Sequence, residues 1–154
     1  MSKPEVSLIL PSIRTARLPK LYESILKSTK RNFELVICGP SPLPEELKDL
    51  RNVKYIKDYG SPVRASNIAA SLCEGKVYTW LADDCSFFEN SLDQCLDEFY
   101  DMGAAQNNVL VAKYYEGQQG STDRETLQPD SYFRINHSPA GSPHVPLDWW
   151  LFNI

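Results

Sequence analysis

Two adjacent aspartates, Asp83 and Asp84, interrupt an apolar stretch, YTWLADDCSFF, at residues 78–88. Neighbouring carboxylates repel each other, and each loses hydration when it is partly buried. Carboxylate oxygens suit Mg²⁺ or Mn²⁺, ions that usually take one or two protein carboxylates together with substrate phosphates. A bound divalent cation would offset the repulsion. The alternative is a solvated turn, in which Asp84 caps the following segment.

Other chemical motifs are missing from the sequence. No GxGxxG follows the first apolar run, which argues against a dinucleotide site, and the absence of GxxxxGK[ST] excludes a P-loop. Neither HExxH nor paired Cys/His spacing supports zinc, and there is no GxSxG for a serine hydrolase. The carboxylate pair is therefore the main candidate for chemistry.

The elements that must position this pair follow an alternating rhythm. Strands are predicted at residues 6–10, 33–38, 53–57, 76–81 and 108–115, from apolar runs and alternating patterns. Helices are predicted between them, at 18–26, 44–50, 61–75 and 90–103, with Asn90 as the candidate N-cap of the last. This order predicts an α/β fold: a mostly parallel, Rossmann-like sheet with flanking helices in three layers.

Polar residues follow four of the predicted strands, at residues 11–14, 38–41, 58–64 and 83–84. The carboxyl ends of parallel strands meet at one edge of the sheet, and ligands of such sheets bind outside that edge. The four spots are therefore expected to form a single site.

Three motifs follow one another along the first part of the chain: LILPSIR, ELVICGPS and YGSPVRASNIAASLCEGKVYTWLADD. In the order and spacing of these motifs, residues 6–96 resemble the nucleotide-sugar-binding part of a family 2 glycosyltransferase with the GT-A fold. It implies a nucleotide-diphosphate sugar as donor (UDP-, GDP- or dTDP-sugar) and a sugar or glycan as acceptor. It also implies Mg²⁺ or Mn²⁺ on the diphosphate, and transfer of the sugar with inversion.

The resemblance further implies a donor pocket made from the strand ends. Its base and ribose side is expected to contain Pro11, Ser12, Arg14, Asp58 and Gly60. Gly39 lies where the family usually has an acidic residue that reads the base, so the sequence leaves the identity of the base open. Plain loop and turn roles are the alternative for Arg14 and Asp58.

The phosphate side of the pocket carries the metal in this resemblance. Asp84 matches the metal-binding aspartate, and Asp83 precedes it as a second contact to metal or ribose. Ala82 stands where many members have their first aspartate. Arg64 and Asn67 are expected to approach the ribose and diphosphate; a surface charge and a helix-packing hydrogen bond are the alternatives.

The domain division that we expect is 1–115 for the nucleotide-sugar-binding α/β part and 116–154 for a loop-rich segment and apolar tail of the same domain. The second part reads as a truncated or minimal acceptor region. Its candidate catalytic base is Asp148, beside two tryptophans. An exposed tail DWWLFNI would be a large apolar patch. We expect it to pack back on the sheet or to be covered by a partner subunit in a homo-oligomer.

Bulk properties set the remaining expectations. The 154 residues carry a formal charge of −4, which gives no electrostatic reason to expect nucleic-acid binding. No apolar run has the length of a membrane span, the start does not resemble a signal peptide, and the four cysteines show no CxxC spacing. These features indicate a cytoplasmic protein with reduced thiols. Two other functions stay open: a nucleotide-sugar-binding module without transfer activity, and an α/β protein of flavodoxin or receiver type.

Overall fold

The centre of the fold is a parallel sheet. In the computed structural model, which describes residues 3–103, 109–112, 115–116, 128–129 and 151–153, these strands are β1 (Val6–Pro11), β2 (Phe33–Gly39), β3 (Val53–Lys57) and β4 (Val77–Trp80). They lie in the order β3-β2-β1-β4, and each neighbouring pair is parallel. A flavodoxin-type sheet has the order 2-1-3-4-5, so the topology decides against that alternative.

Helices follow the strands as the sequence predicts. In the described part of the chain they are α1 (Leu18–Ser28), α2 (Glu45–Lys48), α3 (Pro62–Ser71) and α4 (Ser91–Asp101). A short 3-10 helix, Thr15–Arg17, leads into α1. The helix predicted at 44–50 is shorter than expected, since only its four central residues are helical.

The sheet has helices on both faces, so the prediction of three layers is confirmed. Alternate residues of β1 and β2 point to opposite faces, as the period of a strand requires. On one face, Leu8 and Leu35 belong to a core shared with α1, α2 and α4. On the other face, Ile9 and Val36 contact α3 through its alanines.

Helix α3 is well defined at its start. Its N-cap is Ser61, whose hydroxyl accepts a hydrogen bond from the Arg64 N–H at 3.3 Å, and Pro62 occupies the first helical turn. Its buried residues are Ala65 and Ala69, whose small side chains let the helix pack closely on the sheet.

Helix α4 begins after Asn90, as predicted, but the Asn90 side chain makes no capping hydrogen bond. Asn90 instead takes up a left-handed conformation, with φ of 58°, that asparagine tolerates better than most residues. Gly103 follows the helix with φ of +73°, where the absence of a Cβ relieves the same strain.

The later strands differ from the sequence prediction. The predicted strand at 108–115 is represented by β5 (Val109–Val111) and by β6 (Tyr115–Glu116), which pairs antiparallel with β7 (Gln128–Pro129) in a separate sheet. Residues 113–114 lie outside the described residues. From the apolar tail, β8 (Leu151–Asn153) lies between β4 and β5 and is antiparallel to both. Three residues of the tail are therefore part of the sheet, in line with the expectation that the tail packs back on it.

A buried carboxylate, Glu34, joins β2 to the turn between α3 and β4 at the amino end of the sheet. It accepts hydrogen bonds from the Ser7 hydroxyl at 2.5 Å and from the Gly75 N–H at 3.1 Å, and the Lys54 ammonium lies 2.8 Å away. Burial opposes ionisation of Glu34, but the hydrogen bonds from Lys54, Ser7 and Glu74 outweigh it and lower the Glu34 pKa. Glu34 has a structural role, because it lies at the amino end of the sheet, away from the carboxyl ends of the strands.

Candidate active site

Backbone hydrogen bonds extend the parallel pairing past the strand ends and fix the loops that follow. The Ser12 N–H donates to Cys38 O at 3.0 Å, and the Asp58 N–H donates to Gly39 O at 3.1 Å. The Leu81 N–H donates to Ile9 O at 2.8 Å. The loops after β1, β2, β3 and β4 therefore start in register at one edge, as the sequence predicts.

Asp83 is buried among donors from the loop after β1. One carboxylate oxygen, Oδ2, accepts from the Ser12 hydroxyl at 3.0 Å and from the N–H groups of Ile13 at 3.1 Å and Arg14 at 3.0 Å. The other, Oδ1, accepts from Arg14 Nε at 2.6 Å and also contacts Arg14 Nη2. Burial opposes ionisation, but the bonds from Arg14, Ile13 and Ser12 outweigh it, so the Asp83 pKa lies below its usual value.

Asp84 shares the same arginine. Arg14 Nη1 lies 3.0 Å from Asp84 Oδ2, and the Asp84 side chain is 38% exposed. The hydrogen bond to Asp83 raises the pKa of Arg14 against the effect of burial, so the guanidinium stays charged. The sequence predicted a divalent cation to offset the repulsion between the aspartates. Within the protein, this charge comes from Arg14, which lies 69 residues before Asp83 in the chain.

Gly39 ends β2 where the chain approaches β1 most closely. A Cβ built on Gly39 would lie 1.8 Å from Ser12 O, a backbone atom. No side chain fits there without moving the loop after β1. In this chain the contact therefore favours glycine over any residue with a side chain at position 39.

Asp58 and Arg64 form a second ion pair at the edge. Arg64 Nη2 and Nε lie 3.0 and 3.1 Å from Asp58 Oδ1, while Asp58 Oδ2 accepts from the Gly60 N–H at 2.8 Å. The Asp58 side chain is 11% exposed and that of Arg64 is 67% exposed. The pair holds the loop after β3 against the first turn of α3.

A cavity of about 560 Å³ lies outside the strand ends, a size typical of small-molecule sites. Seven residues that the sequence predicted for the donor site line it: Pro11, Ser12, Arg14, Gly39, Asp58, Gly60 and Asp83. Arg64, Asn67 and Asp84 are not among its lining residues, and Asn67 is exposed on α3. Asp148 lies outside the described residues.

The family model for glycosyl transferase family 2 matches residues 7–149. The chain belongs to this family.

Solved structures show the fold independently. Residues 1–349 of TarS from S. aureus superpose with a TM-score of 0.58 at 20% sequence identity. The match covers 71% of this chain and 35% of the TarS chain, so this chain spans about a third of that relative. The fold is GT-A, as the sequence predicted. A comparison with curated proteins finds no significant match.

Several residues that line the cavity were not predicted from the sequence as site residues. They include Ile13, Val63, Ser66 and Trp80. Ile13 and Val63 are 69% and 63% exposed, which is unusual for large aliphatic side chains. Ile13 lies in an otherwise polar loop and Val63 in the first turn of α3, and these isolated apolar residues are the signal that the sequence offered.

Family 2 members commonly use a divalent metal, and the acidic residues of this site are the candidates to hold one. Among the described residues, no group of three or more His, Cys, Asp or Glu is placed to hold an ion. Asp83 does not fit as a ligand, because its oxygens already accept from five donor groups. Asp84 fits as a single carboxylate ligand, because it is partly exposed and its contact with Arg14 uses Oδ2.

Burial keeps the thiols near the site in an environment that favours the protonated form. Burial raises the pKa of Cys85, beside Asp84, to about 12, and it also raises the pKa of Cys38, which lines the cavity. All four cysteines are free. Cysteine nucleophiles need the thiolate form, so these residues do not suit that role. No helix among the described residues has the length and apolar character needed to cross a membrane.

Proposed function

We propose that this chain binds a nucleotide-diphosphate sugar in the cavity and transfers the sugar, with inversion, to a hydroxyl group of a sugar or glycan acceptor. The observation that carries the proposal is the convergence of seven predicted donor-site residues on one cavity, in a chain of glycosyl transferase family 2. A cytoplasmic location and a homo-oligomer formed through the apolar tail stay predictions from the sequence.

The base and ribose are assigned to the part of the cavity between the loop after β1 and α3. Pro11, Ile13 and Val63 offer apolar contacts to a flat ring. Asp58 lies on the same wall and is fixed by Arg64 and the Gly60 N–H. A carboxylate held in this way accepts hydrogen bonds from ribose hydroxyls or from base N–H groups.

The diphosphate is assigned to the side of Arg14 and Asp84. Mg²⁺ or Mn²⁺ held by Asp84 and the phosphates would neutralise the charge that develops on the leaving diphosphate. Asp83 acts through Arg14 and through the backbone of the loop after β1, which it holds in place. It is a positioning residue rather than a ligand.

Inverting transfer also needs a base that removes the proton from the acceptor hydroxyl as this oxygen attacks the anomeric carbon. Asp148 stays the predicted base. Within the described residues, Asp83 and Asp58 are held by arginines and backbone N–H groups, so neither is free for this role.

The first experiment is a thermal-stability screen with UDP, GDP and dTDP, each with and without Mn²⁺. A ligand that binds the folded chain raises its melting temperature by mass action. We expect one nucleoside diphosphate to stabilise the chain, and more so with Mn²⁺ than without it. Failure of all three, at millimolar concentrations, would contradict the proposed donor site.

A second candidate function is a donor-binding module that transfers nothing by itself. It is favoured by the lack of a free carboxylate on the described part of the cavity wall, because Asp58 and Asp83 are both held by arginines. Calorimetry with the stabilising nucleotide, combined with a turnover assay on its sugar conjugates, separates the two. Binding without either transfer or hydrolysis would support the module.

A further inference from the structure

Arg14 contacts both carboxylates of the pair, Asp83 and Asp84, but it contacts them unequally. Nε and Nη2 both hold Asp83, whereas only Nη1 contacts Asp84. Asp83 is 4% exposed and is further fixed by Ser12 and two backbone N–H groups, while Asp84 is 38% exposed. The guanidinium can therefore release Asp84 by losing one contact while it stays anchored on Asp83.

The same contact engages Asp84, the carboxylate that fits a metal among the described residues of the site. Asp84 Oδ2 lies 3.0 Å from Arg14 Nη1, so an ion that binds this oxygen meets a positive charge at the same place. One arginine and two aspartates leave one net negative charge in the cluster, and a divalent ion would make it positive. A nucleoside diphosphate would bring the negative charge that allows both cations to remain.

We propose that Arg14 competes with the divalent ion for Asp84, so that the ion binds weakly until a diphosphate is present. Metal and nucleotide then bind cooperatively, and each raises the affinity of the other by the same factor. The nucleotide half rests on the proposed function. The competition between Arg14 and the ion stands on the contacts of Asp84 and is tested with the metal alone.

The metal test is a titration with Mn²⁺, followed by the electron paramagnetic resonance signal of the free ion, in the absence of nucleotide. The wild-type chain is expected to bind weakly, and Arg14→Gln at least about 10-fold more tightly, a ratio that corresponds to about 1.4 kcal/mol. Adding Asp84→Asn to Arg14→Gln should abolish the gain. An unchanged Mn²⁺ affinity in folded Arg14→Gln would overturn the proposal.

Two further variants control for charge and folding. Arg51→Gln removes one positive charge at an exposed position outside the cavity lining and should leave Mn²⁺ affinity unchanged. Arg14→Lys keeps a positive charge near Asp83 and Asp84 but loses the fork that contacts both, so its Mn²⁺ affinity should lie between those of wild type and Arg14→Gln. If Arg14→Gln fails to fold, as judged by thermal melting, Arg14→Met and Arg14→Lys are compared instead. Equal Mn²⁺ affinities of these two would then count against the proposal.

The nucleotide test repeats the Mn²⁺ titration with the nucleoside diphosphate that stabilises the chain. We expect wild-type affinity for Mn²⁺ to rise by at least about 10-fold, and the rise in Arg14→Gln to be smaller, because no cation has to be compensated. Equal rises in both proteins would overturn the cooperative part. If no nucleotide binds either protein, the proposed function fails, while the metal titration still decides whether Arg14 competes for Asp84.

Discussion

Asp83 shows how one residue of the pair is kept charged in a buried position. Its carboxylate accepts from the hydroxyl, backbone and guanidinium groups of the loop after β1, and these donors lower its pKa. Asp84 has one contact with the same arginine and is partly exposed. Adjacent residues of the same type therefore have different tasks: Asp83 holds the loop, and Asp84 stays accessible.

Asp83→Asn tests this division of tasks. The substitution places an N–H₂ group against donors of Arg14, so we expect a loss of about 1 to 3 kcal/mol in the free energy of unfolding. The expected loss in the free energy of unfolding is modest because the Arg14 side chain is 44% exposed and water screens its charge. Urea unfolding measures the loss, with Asp84→Asn as the matched control at less than about 1 kcal/mol. Equal losses for the two variants would contradict separate roles.

Gly39→Ala tests the close approach of β2 to the loop after β1. The new Cβ would lie 1.8 Å from Ser12 O, which is backbone and cannot rotate away, so we expect a destabilisation of about 3 kcal/mol or more. Gly103→Ala is the control, since its Cβ meets nothing within 4 Å and only its φ of +73° is unfavourable, at about 1 kcal/mol. Melting temperatures in the opposite order would show that the contact is absent.

At the scale of elements, strand β2 contributes to the cavity at its carboxyl end and holds a buried charged residue near its amino end. Its carboxyl end gives Gly39 to the cavity, while Glu34, near its amino end, holds the turn between α3 and β4. A Cβ on Gly75 in that turn would lie 2.5 Å from the Ser7 hydroxyl oxygen, so the turn is also closely packed, although less so than the approach of Gly39 to Ser12 O. The hydrogen bonds from the Gly75 N–H to Glu34 and Ser7 thus hold the turn from which β4 begins.

The lowered pKa of Glu34 gives the fold a defined response to acid. A carboxyl whose pKa is lower in the folded chain stabilises that chain above its ordinary pKa of about 4.3 and loses this contribution as the pH falls through the folded value. Glu34→Gln should therefore be less stable than wild type at pH 7, by about 1 to 3 kcal/mol, and the difference should shrink below pH 4. Stability curves against pH measure it.

Glu23→Gln is the matched control for this experiment, because Glu23 is an exposed residue of α1. It should leave the stability curve unchanged within about 0.5 kcal/mol. A Glu34→Gln curve parallel to wild type at every pH would mean that the Glu34 charge contributes nothing to the fold.

At the scale of the whole molecule, the sheet is completed by the far end of the chain. β8 lies between β4 and β5, with Phe152 opposite Thr79 on one side and Leu110 on the other. The order β3-β2-β1-β4-β8-β5 thus joins the first and last strands of the described residues, β1 and β8, in one sheet. β4, the strand that precedes the aspartates, has partners on both sides for this reason.

Phe152→Pro tests that completion. Proline removes a backbone donor from a strand paired on both sides, so we expect a loss of about 2 to 3 kcal/mol in stability. Phe152→Leu keeps the N–H and an apolar side chain and serves as the control. Chemical unfolding of both variants measures the difference. Unfolding midpoints that coincide would place β8 outside the sheet.

The sequence by itself determined the fold class and the edge of the sheet at which the site lies. The signals were the apolar runs, their lengths and the polar residues that follow them. A parallel α/β sheet follows from alternating strands and helices, and the meeting of four polar loops at one edge follows from parallel strands. That is why Pro11, Ser12, Asp58 and Asp83 were predicted together and line one cavity. Such features depend on local pattern and on general rules of connection.

Only the tertiary structure decided how those residues interact. The pairing of Arg14 with Asp83 and Asp84, the contact of Gly39 with Ser12 O and the insertion of β8 all join distant parts of the chain. Each depends on distances of a few ångströms, set by strand register and by packing between layers. A linear pattern carries no such distances, so the sequence predicted a charged site at this edge, and the fold assigned Arg14 to balance its charge.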